Sequence, residues 1–303
     1  MPPTPSHPAR LGSKGAALGL SGSAAAAILW GFGGIFVVLT YASGLVVACY
    51  RFWVGAVFLT LIVYATGKRL SWSTVRATWL GGLFLGGDMM MFYSSVRLTS
   101  IVDASVIGAL QPALVLIAAR PLFGERVSRR DVFWIALAMV GVSIAVIGPG
   151  GTAPHRVLGD LLAAGALFSF STYWLISKHA REAINAIEYT AGVMTFAALL
   201  TTPVVFIAGQ SLSRFHAGDW TWIVLLALVP GTGHLIMNWA HRYVDASISA
   251  AISCLSPLVA SVVAIPILGQ SLTWLQVVGV LIGLAAIAVV AARHREPAQP
   301  PAE

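Results

Sequence analysis

The sequence predicts an all-α membrane protein of ten transmembrane helices, arranged as two five-helix repeats of opposite orientation. Three observations lead to this fold class. Of the 303 residues, 58% are hydrophobic and only 10% are charged, whereas soluble domains carry about 25% charged residues. The apolar residues form ten stretches of roughly the 20 residues that a membrane helix needs. Finally, the second half of the chain repeats positions of the first.

The ten apolar stretches are separated by short polar loops. They cover residues 17–39, 45–66, 77–96, 104–123, 132–147, 158–177, 189–208, 221–239, 248–268 and 275–292. The first follows Arg10 and Lys14, as the apolar region of a signal peptide would. It continues far enough to span a bilayer, so we interpret it as the first helix. The two cysteines, Cys49 and Cys254, lie inside apolar runs and indicate neither a disulfide framework nor a zinc site.

An internal repeat divides the chain. A single offset of 145 aligns five pairs in order, namely Gly86 with Gly231, Arg97 with Arg242, Pro112 with Pro257, Pro121 with Pro266 and Gly124 with Gly269. Nearer the N-terminus, an offset of 139 pairs Tyr50 with Tyr189. Because each repeat holds an odd number of helices, the second must lie inverted in the membrane. The predicted repeats cover residues 17–148 and 158–292, between tails at 1–16 and 293–303.

The basic residues predict the orientation, since cytoplasmic loops are enriched in Lys and Arg. With the N-terminus inside, fourteen of the 18 basic residues fall on the inner side. The four on the outer side are Arg51, Arg97, Arg156 and Arg214. We therefore expect a multi-pass protein of the inner (plasma) membrane with both termini in the cytoplasm.

A family resemblance rests on a few short motifs. They are Trp30-Gly31 in the first helix, Arg51 in the second, the stretch from Ala104 through Pro112 to Gly124-Glu125-Arg126, and Gly159-Asp160 at the start of the sixth. With these motifs the sequence resembles the drug/metabolite transporter (DMT) superfamily, in its ten-helix branch with two EamA-type domains. The resemblance covers nearly all of residues 17–292. Two positions depart from the family pattern, Gln270 in place of Glu and Ser169-Phe170 near a common Trp.

The resemblance implies a function. It indicates export or exchange of amino acids or related small metabolites across a bacterial inner membrane, with no ATP site and no cofactor. A multidrug extruder of cationic compounds from the same superfamily is the alternative within transport. A membrane scaffold without transport activity is the alternative from another class. An enzyme is not expected, because the sequence lacks a metalloprotease motif, a phosphate-binding loop and paired catalytic acids on its loops.

Polar residues on two helix faces are the candidate substrate contacts. His234 and Asn238 lie four residues apart on one face of the eighth helix, and Met89 and Tyr93 occupy the repeat-related positions of the third. Polar side chains at bilayer depth usually face the protein interior. We therefore predict that these four residues line a central cavity, with bonding of His234 and Asn238 to neighbouring helices as the alternative. Arg97 and Arg242, one turn further along each face, are expected to be interfacial anchors.

Two charged residues allow opposing interpretations. Asp88 is the only acid deep in a predicted span. It either titrates and couples transport to protons, or stays neutral and locks helices together by hydrogen bonds. Arg51 is expected to be an interfacial charge on the outer side or a partner for an acid, although it could attract a substrate carboxylate.

Aromatic residues and prolines complete the candidates. Trp30, Tyr173 and Trp174 either stack on substrate or belong to the interfacial aromatic belts of the membrane. Pro112 and Pro257 interrupt two helices at matched depths and free a backbone carbonyl in each, as gate hinges or as packing kinks. The expected partners are a small-molecule substrate and membrane lipid, with no nucleic acid and no metal. A monomer would suffice, because the two repeats complete one symmetric unit.

Overall fold

The computed structural model describes residues 13–98, 104, 107–125, 127–146, 157–213, 216–269 and 272–294. Across these residues, the regular structure consists of twelve α-helices and no β-strand. The predictions for residues 1–12 and 295–303, and for the motif positions Arg126 and Gln270, lie outside the described residues.

The helices follow one another with short connections. They are α1 (Ser13–Gly31), α2 (Gly33–Val38), α3 (Gly44–Ala65), α4 (Trp72–Ser95), α5 (Gln111–Phe123), α6 (Arg129–Val146), α7 (Val157–Ala180), α8 (Ala186–Ile207), α9 (Asp219–Ala240), α10 (Ala246–Ser253), α11 (Leu255–Leu268) and α12 (Trp274–Arg293).

Seven helical stretches in the described part of the chain are long and apolar enough to cross a membrane. They are α1 with α2, α3, α7, α8, α9, α10 with α11, and α12. The chain is therefore a multi-pass helical membrane protein. The other three predicted spans coincide with α4, α5 and α6. Of these, α4 carries Arg76 and Asp88, α5 has only 13 residues, and α6 opens with three charged residues.

Side chains and glycines define where the helices begin and end. The hydroxyl oxygens of Ser43 and Ser71 accept hydrogen bonds from backbone N–H groups in the first turns of α3 and α4, which satisfies donors that have no partner within the helix. Asn185 does the same for α8. At the other end, α5 stops at Gly124 (φ 68°) and α11 at Gly269 (φ 65°). Glycine adopts this left-handed conformation without strain, so each of these two helices ends there.

Close helix packing builds the interior. Helices α3, α4 and α8 share an apolar core in which Phe52 and Tyr189 are fully buried. Helix α6 lies along α12 at very short range, and a Cβ atom placed on Gly141 would lie 2.5 Å from the backbone nitrogen of Gly283. Small residues allow such close approach between membrane helices, where packing replaces the hydrophobic effect as the attractive force.

Large apolar side chains remain exposed on the outside of the helices. Leu61, Phe168, Ile207 and Leu281 are each more than half exposed. Soluble proteins rarely expose apolar surface on this scale. These side chains therefore face the lipid, whereas the charged and polar side chains described next face inward.

Candidate functional site

An aromatic cluster occupies the interior between α1, α7 and α9. The ring of His234 lies 4.9 Å from that of Trp30 and 6.0 Å from that of Tyr173, measured between centroids. Phe170 stacks on Tyr173 at 6.0 Å and meets Trp30 edge-on at 5.9 Å. Trp174 closes the cluster, 5.9 Å from Trp30. Three of the predicted substrate contacts thus lie side by side.

The position of Trp30 is fixed by α9. Its indole N–H donates a hydrogen bond of 3.1 Å to the carbonyl of Pro230. Gly233 permits this approach, because a Cβ atom on that residue would lie 2.8 Å from the indole nitrogen. Tyr173 and Trp174 are 2% and 0% exposed. The prediction that these aromatic residues could belong to an interfacial belt is therefore wrong for both; they lie in the interior of the protein.

The side chain of Asn238 forms hydrogen bonds with two neighbouring helices. Its carboxamide nitrogen donates to the hydroxyl oxygens of Tyr173 (3.0 Å) and Thr190 (2.9 Å). This contact ties α9 to both α7 and α8. Asn238 thus positions Tyr173 within the aromatic cluster, and the prediction that it contacts substrate remains a prediction.

Arg51 lies inside the protein, opposite to the expectation of an interfacial charge. The residue is 2% exposed and lies seven residues, or about 10 Å, from the start of α3. One guanidinium nitrogen, Nη1, donates to the hydroxyl of Tyr93 at 2.5 Å and lies 3.2 Å from the sulfur of Met89. The predicted contacts Tyr93 and Met89 therefore surround a buried arginine, which the sequence interpretation had placed either at the outer membrane surface or beside an acid.

Asp88 precedes Met89 on the same helix and is 5% exposed. It lies within electrostatic range of Arg51, Tyr93 and Tyr173. Its side chain makes no hydrogen bond with any residue that the structure describes. Whether Asp88 titrates or stays neutral and locks helices together remains a prediction.

The two prolines stand just after breaks in their helices. The regular α-helical pattern is interrupted at Leu110, immediately before α5, and at Cys254, between α10 and α11, although both residues keep right-handed helical backbone angles. Pro112 and Pro257 then fall in the first turns of α5 and α11, where a missing N–H costs little. The hydroxyl of Ser253 donates to the side-chain oxygen of Gln111 at 3.0 Å, which joins the two breaks directly. Whether the prolines act as hinges remains a prediction.

Two basic side chains bind backbone carbonyls at the C-terminal end of α9, beginning at Asn238. The ammonium group of Lys178 donates to the carbonyls of His241 (2.6 Å) and Val244 (2.5 Å), and Arg181 donates to the carbonyl of Asn238 (2.8 Å). Positive side chains are favourable at this end of a helix, whose last carbonyls lack intrahelical partners. Burial, together with the charge of Arg242, lowers the pKa of Arg181 to about 10.

Several residues of the site were absent from the sequence-based prediction. Phe170 and Thr190 complete the aromatic cluster and the Asn238 network. Phe170 was noted only as a departure from the family pattern, and Thr190 was not noted, because hydroxyl residues are common in membrane helices. Gln111 offered a usable signal, because it is a polar side chain next to a repeated proline. No cluster of three His, Cys, Asp or Glu residues suited to a metal ion occurs in the part of the chain that is described.

Known proteins share both the sequence pattern and the fold. The family model of the EamA-like transporter family matches this chain twice, at residues 17–147 and 157–292. The chain belongs to that family, and it is a membrane transporter. A solved crystal structure superposes on it with a TM-score of 0.78 at 19% identity, over 95% of this chain and 100% of the other.

Curated relatives are also transporters. The chain is 24% identical over 246 residues to the uncharacterized transporter YyaM of Bacillus subtilis (strain 168), covering 78% of this chain and 80% of the relative. It is 24% identical to YwfM, an uncharacterized transporter of the same organism, with 89% and 93% covered. The pseudopaline exporter CntI of Pseudomonas aeruginosa (strain UCBPP-PA14) is 21% identical, with 66% and 69% covered.

Proposed function

We propose that the protein is a secondary-active transporter that exports or exchanges amino acids or related small metabolites across the inner (plasma) membrane by alternating access. The observation that carries the proposal is the buried cluster of charged and aromatic side chains. Charged residues inside a membrane are costly and usually serve function. Arg51 and Asp88 come from the first half of the chain and His234 and Tyr173 from the second, so the cluster lies between the halves, where transporters of repeated structure bind substrate.

Ten spans in two inverted repeats are part of this proposal. The doubled family match supports the repeat, as do helix ends related by the same offset, at Gly124 and Gly269. The three helices beyond the seven apolar spans pack alongside spanning helices: α4 on α8, α5 on α7 and α6 on α12. Helix α3 begins and ends 142 residues before α8. The helix bounds therefore favour 142 over the offset of 139 that paired Tyr50 with Tyr189.

Packing partners support an internal two-fold axis. Two helix pairs, α3 with α8 and α6 with α12, join an element to its own repeat counterpart. The contact of α1 with α9 has its counterpart in the contact of α4 with α7. A two-fold axis in the membrane plane requires such exchange of partners, and alternating access uses it.

Cysteine labelling tests the inverted orientation. Ser73→Cys, in the first turn of α4, and Ser213→Cys, in the segment before α9, introduce one thiol each at corresponding ends of the two repeats. The background has Cys49 and Cys254 replaced by alanine. A membrane-impermeant maleimide applied to intact cells should label the thiol at position 213 and not the one at position 73, which should react only after permeabilisation. Labelling of both from the same side would rule out inverted repeats with cytoplasmic termini.

Flux in proteoliposomes tests the transport activity. We expect saturable flux of amino acids or small metabolites, reduced by His234→Ala, and a response to a pH gradient that Asp88→Asn abolishes. If a proton and a cationic group of the substrate compete for the Asp88 carboxylate, only one of them is bound at a time. The protein would then exchange protons for substrate. Saturable flux of cationic drugs alone would favour the multidrug extruder, which an acid beside aromatic rings would also suit. Absence of saturable flux from folded protein would instead favour the scaffold.

A further inference from the structure

Arg51 has binding capacity that the protein does not use. Its Nε and Nη2 atoms are buried, and neither has a hydrogen-bond partner among the described residues. No carboxylate of those residues lies within 4.0 Å of the guanidinium group. Leaving a buried charge without such partners is strongly unfavourable. The unused donors therefore indicate a ligand that supplies acceptor atoms during the transport cycle.

The geometry around Arg51 selects the kind of acceptor. The guanidinium carbon lies 5.2 Å from the ring centroid of Phe52 and 5.9 Å from that of Tyr93, and Nη1 is bonded to the Tyr93 hydroxyl. These contacts hold the planar group in place and leave its Nε–Nη2 edge free. That edge presents two parallel N–H donors, the pattern that binds the two oxygens of a carboxylate.

Asp88 offers the opposite charge nearby. Its carboxylate interacts electrostatically with Arg51 yet forms no ion pair with it, and it has no hydrogen-bond partner in the described chain. A cation and a carboxyl group that are both buried, both without hydrogen-bonded charge partners in the described chain and not joined in an ion pair match a ligand that carries the two opposite charges itself. A cationic drug would place its charge close to Arg51, and a simple anion would place its charge close to Asp88. A zwitterion satisfies both.

We propose that Arg51 and Asp88 form the recognition site for a free α-amino acid: the Nε–Nη2 edge of Arg51 binds the α-carboxylate, and the Asp88 carboxylate binds the α-ammonium group. This inference rests on the proposed transport of amino acids and deepens it. The aromatic cluster next to the pair, which includes Tyr173 within range of both charges, then receives the side chain of the amino acid.

Binding of three related compounds tests the assignment. L-phenylalanine carries both charged groups, phenethylamine lacks the carboxylate and 3-phenylpropionate lacks the ammonium group. Purified wild-type protein should bind L-phenylalanine about 10- to 100-fold more tightly than either analogue, since each lost group removes hydrogen bonds to a charged partner. Arg51→Met should weaken binding of L-phenylalanine by the same factor without weakening binding of phenethylamine. Asp88→Asn should likewise weaken binding of L-phenylalanine without weakening binding of 3-phenylpropionate.

Matched controls separate charge recognition from general effects of charge or folding. Arg97→Met removes an exposed arginine just beyond α4, and Glu182→Gln removes an exposed acid just beyond α7. Both should retain wild-type affinity for all three compounds. Monodisperse elution and an unchanged melting temperature should show that Arg51→Met is folded; if it is not, Arg51→Lys, which keeps the charge and loses the two-donor edge, should show the same selective loss.

The outcomes distinguish failure of the Arg51–Asp88 assignment from failure of the proposed transport function. If wild-type proteoliposomes move solutes, but Arg51→Met weakens phenethylamine as much as L-phenylalanine, the assignment is overturned and transport stands. Wild-type protein that binds phenethylamine more tightly than L-phenylalanine would also overturn the assignment and favour cationic substrates. If wild-type protein moves no solute at all, the proposed function itself fails.

Discussion

Glu125 and Ser247 are joined twice. The Glu125 carboxylate accepts hydrogen bonds from the backbone N–H of Ser247 at 3.0 Å and from its hydroxyl at 2.7 Å. It also accepts from the N–H of Ala246 at 2.7 Å. A carboxylate that follows α5 therefore caps the N-terminus of α10, where negative charge and free N–H groups attract each other. In the proposed topology this contact closes the cytoplasmic side between the two repeats.

Replacing Glu125 should destabilise the protein. Glu125→Ala leaves three donors without their acceptor, and we expect a loss of about 2 kcal/mol, or about 5 °C in melting temperature for a chain of this size. Thermal unfolding in detergent measures it. Glu182→Ala is the matched control, because the Glu182 side chain is 65% exposed and lies 3.9 Å from the likewise exposed ring of His179. An equal shift for both variants would contradict the capping role.

The Glu125 contact illustrates what the sequence could and could not predict. Hydropathy located the helices, and the repeated Pro and Gly-Glu pattern singled out the segment that contains Glu125. The two residues that Glu125 binds lie 121 and 122 positions away, and only helix packing brings them close to Glu125. Local patterns therefore predicted the helices well and the contacts between distant helices poorly.

The environment of Arg51 also could not be predicted from local sequence patterns. Its proximity to the start of an apolar stretch gives its depth along the helix but not the direction in which it points. An arginine near a membrane surface is usually interfacial, so the prediction followed the common case. The buried environment arises from Tyr93 and Met89 on α4, which one sequence cannot assign to the same interior. Of the predicted cavity residues, His234 and Asn238 lie beside Tyr173, whereas Met89 and Tyr93 lie beside Arg51. That all four line one cavity remains a prediction.

Substitution of Gly141 tests the packing of α6 on α12. A side chain there would meet the nitrogen and Cα of Gly283 at 2.5 and 2.8 Å and the carbonyl oxygen of Gly279 at 3.0 Å. All three are backbone atoms that cannot rotate away, so Gly141→Ala should cost about 1–3 kcal/mol. Gly34→Ala is the control, since nothing lies within 4 Å of its added methyl group and alanine favours helix. A melting temperature lowered equally by both substitutions would argue against close packing at Gly141.

Asn238 and Tyr173 form a pair suited to a double-mutant cycle. Asn238→Leu keeps the volume but leaves the buried Tyr173 hydroxyl without its partner, and we expect a loss of about 1–3 kcal/mol. Adding Tyr173→Phe removes the orphaned hydroxyl as well. The double variant should therefore be less destabilised than the sum of the single variants. Strict additivity of the melting-temperature shifts would mean that the two side chains do not interact.

His241 predicts a pH dependence of stability. The residue follows α9, is 1% exposed, and its ring packs on Trp174 at 4.8 Å. Burial lowers the pKa of His241 well below its ordinary value of 6.5, and the charges of Lys178 and Arg181 lower it further. The unfolded chain therefore binds a proton near pH 6.5, whereas the folded chain binds one only at lower pH. The free energy of unfolding should fall as the pH drops below about 6.5, by up to about 1.4 kcal/mol per pH unit for this residue.

Melting temperatures measured between pH 8 and pH 5 test the contribution of His241. His241→Phe keeps a ring against Trp174 and cannot bind a proton, so the variant should lose less stability than the wild type as the pH falls. Above pH 7 the histidine is neutral in both states, and the pH dependence of the two proteins should coincide there. His179→Phe, at an exposed position, should keep the wild-type slope at low pH. If His241→Phe also keeps that slope, the histidine must be able to take up its proton in the folded protein, through water reaching the C-terminal end of α9.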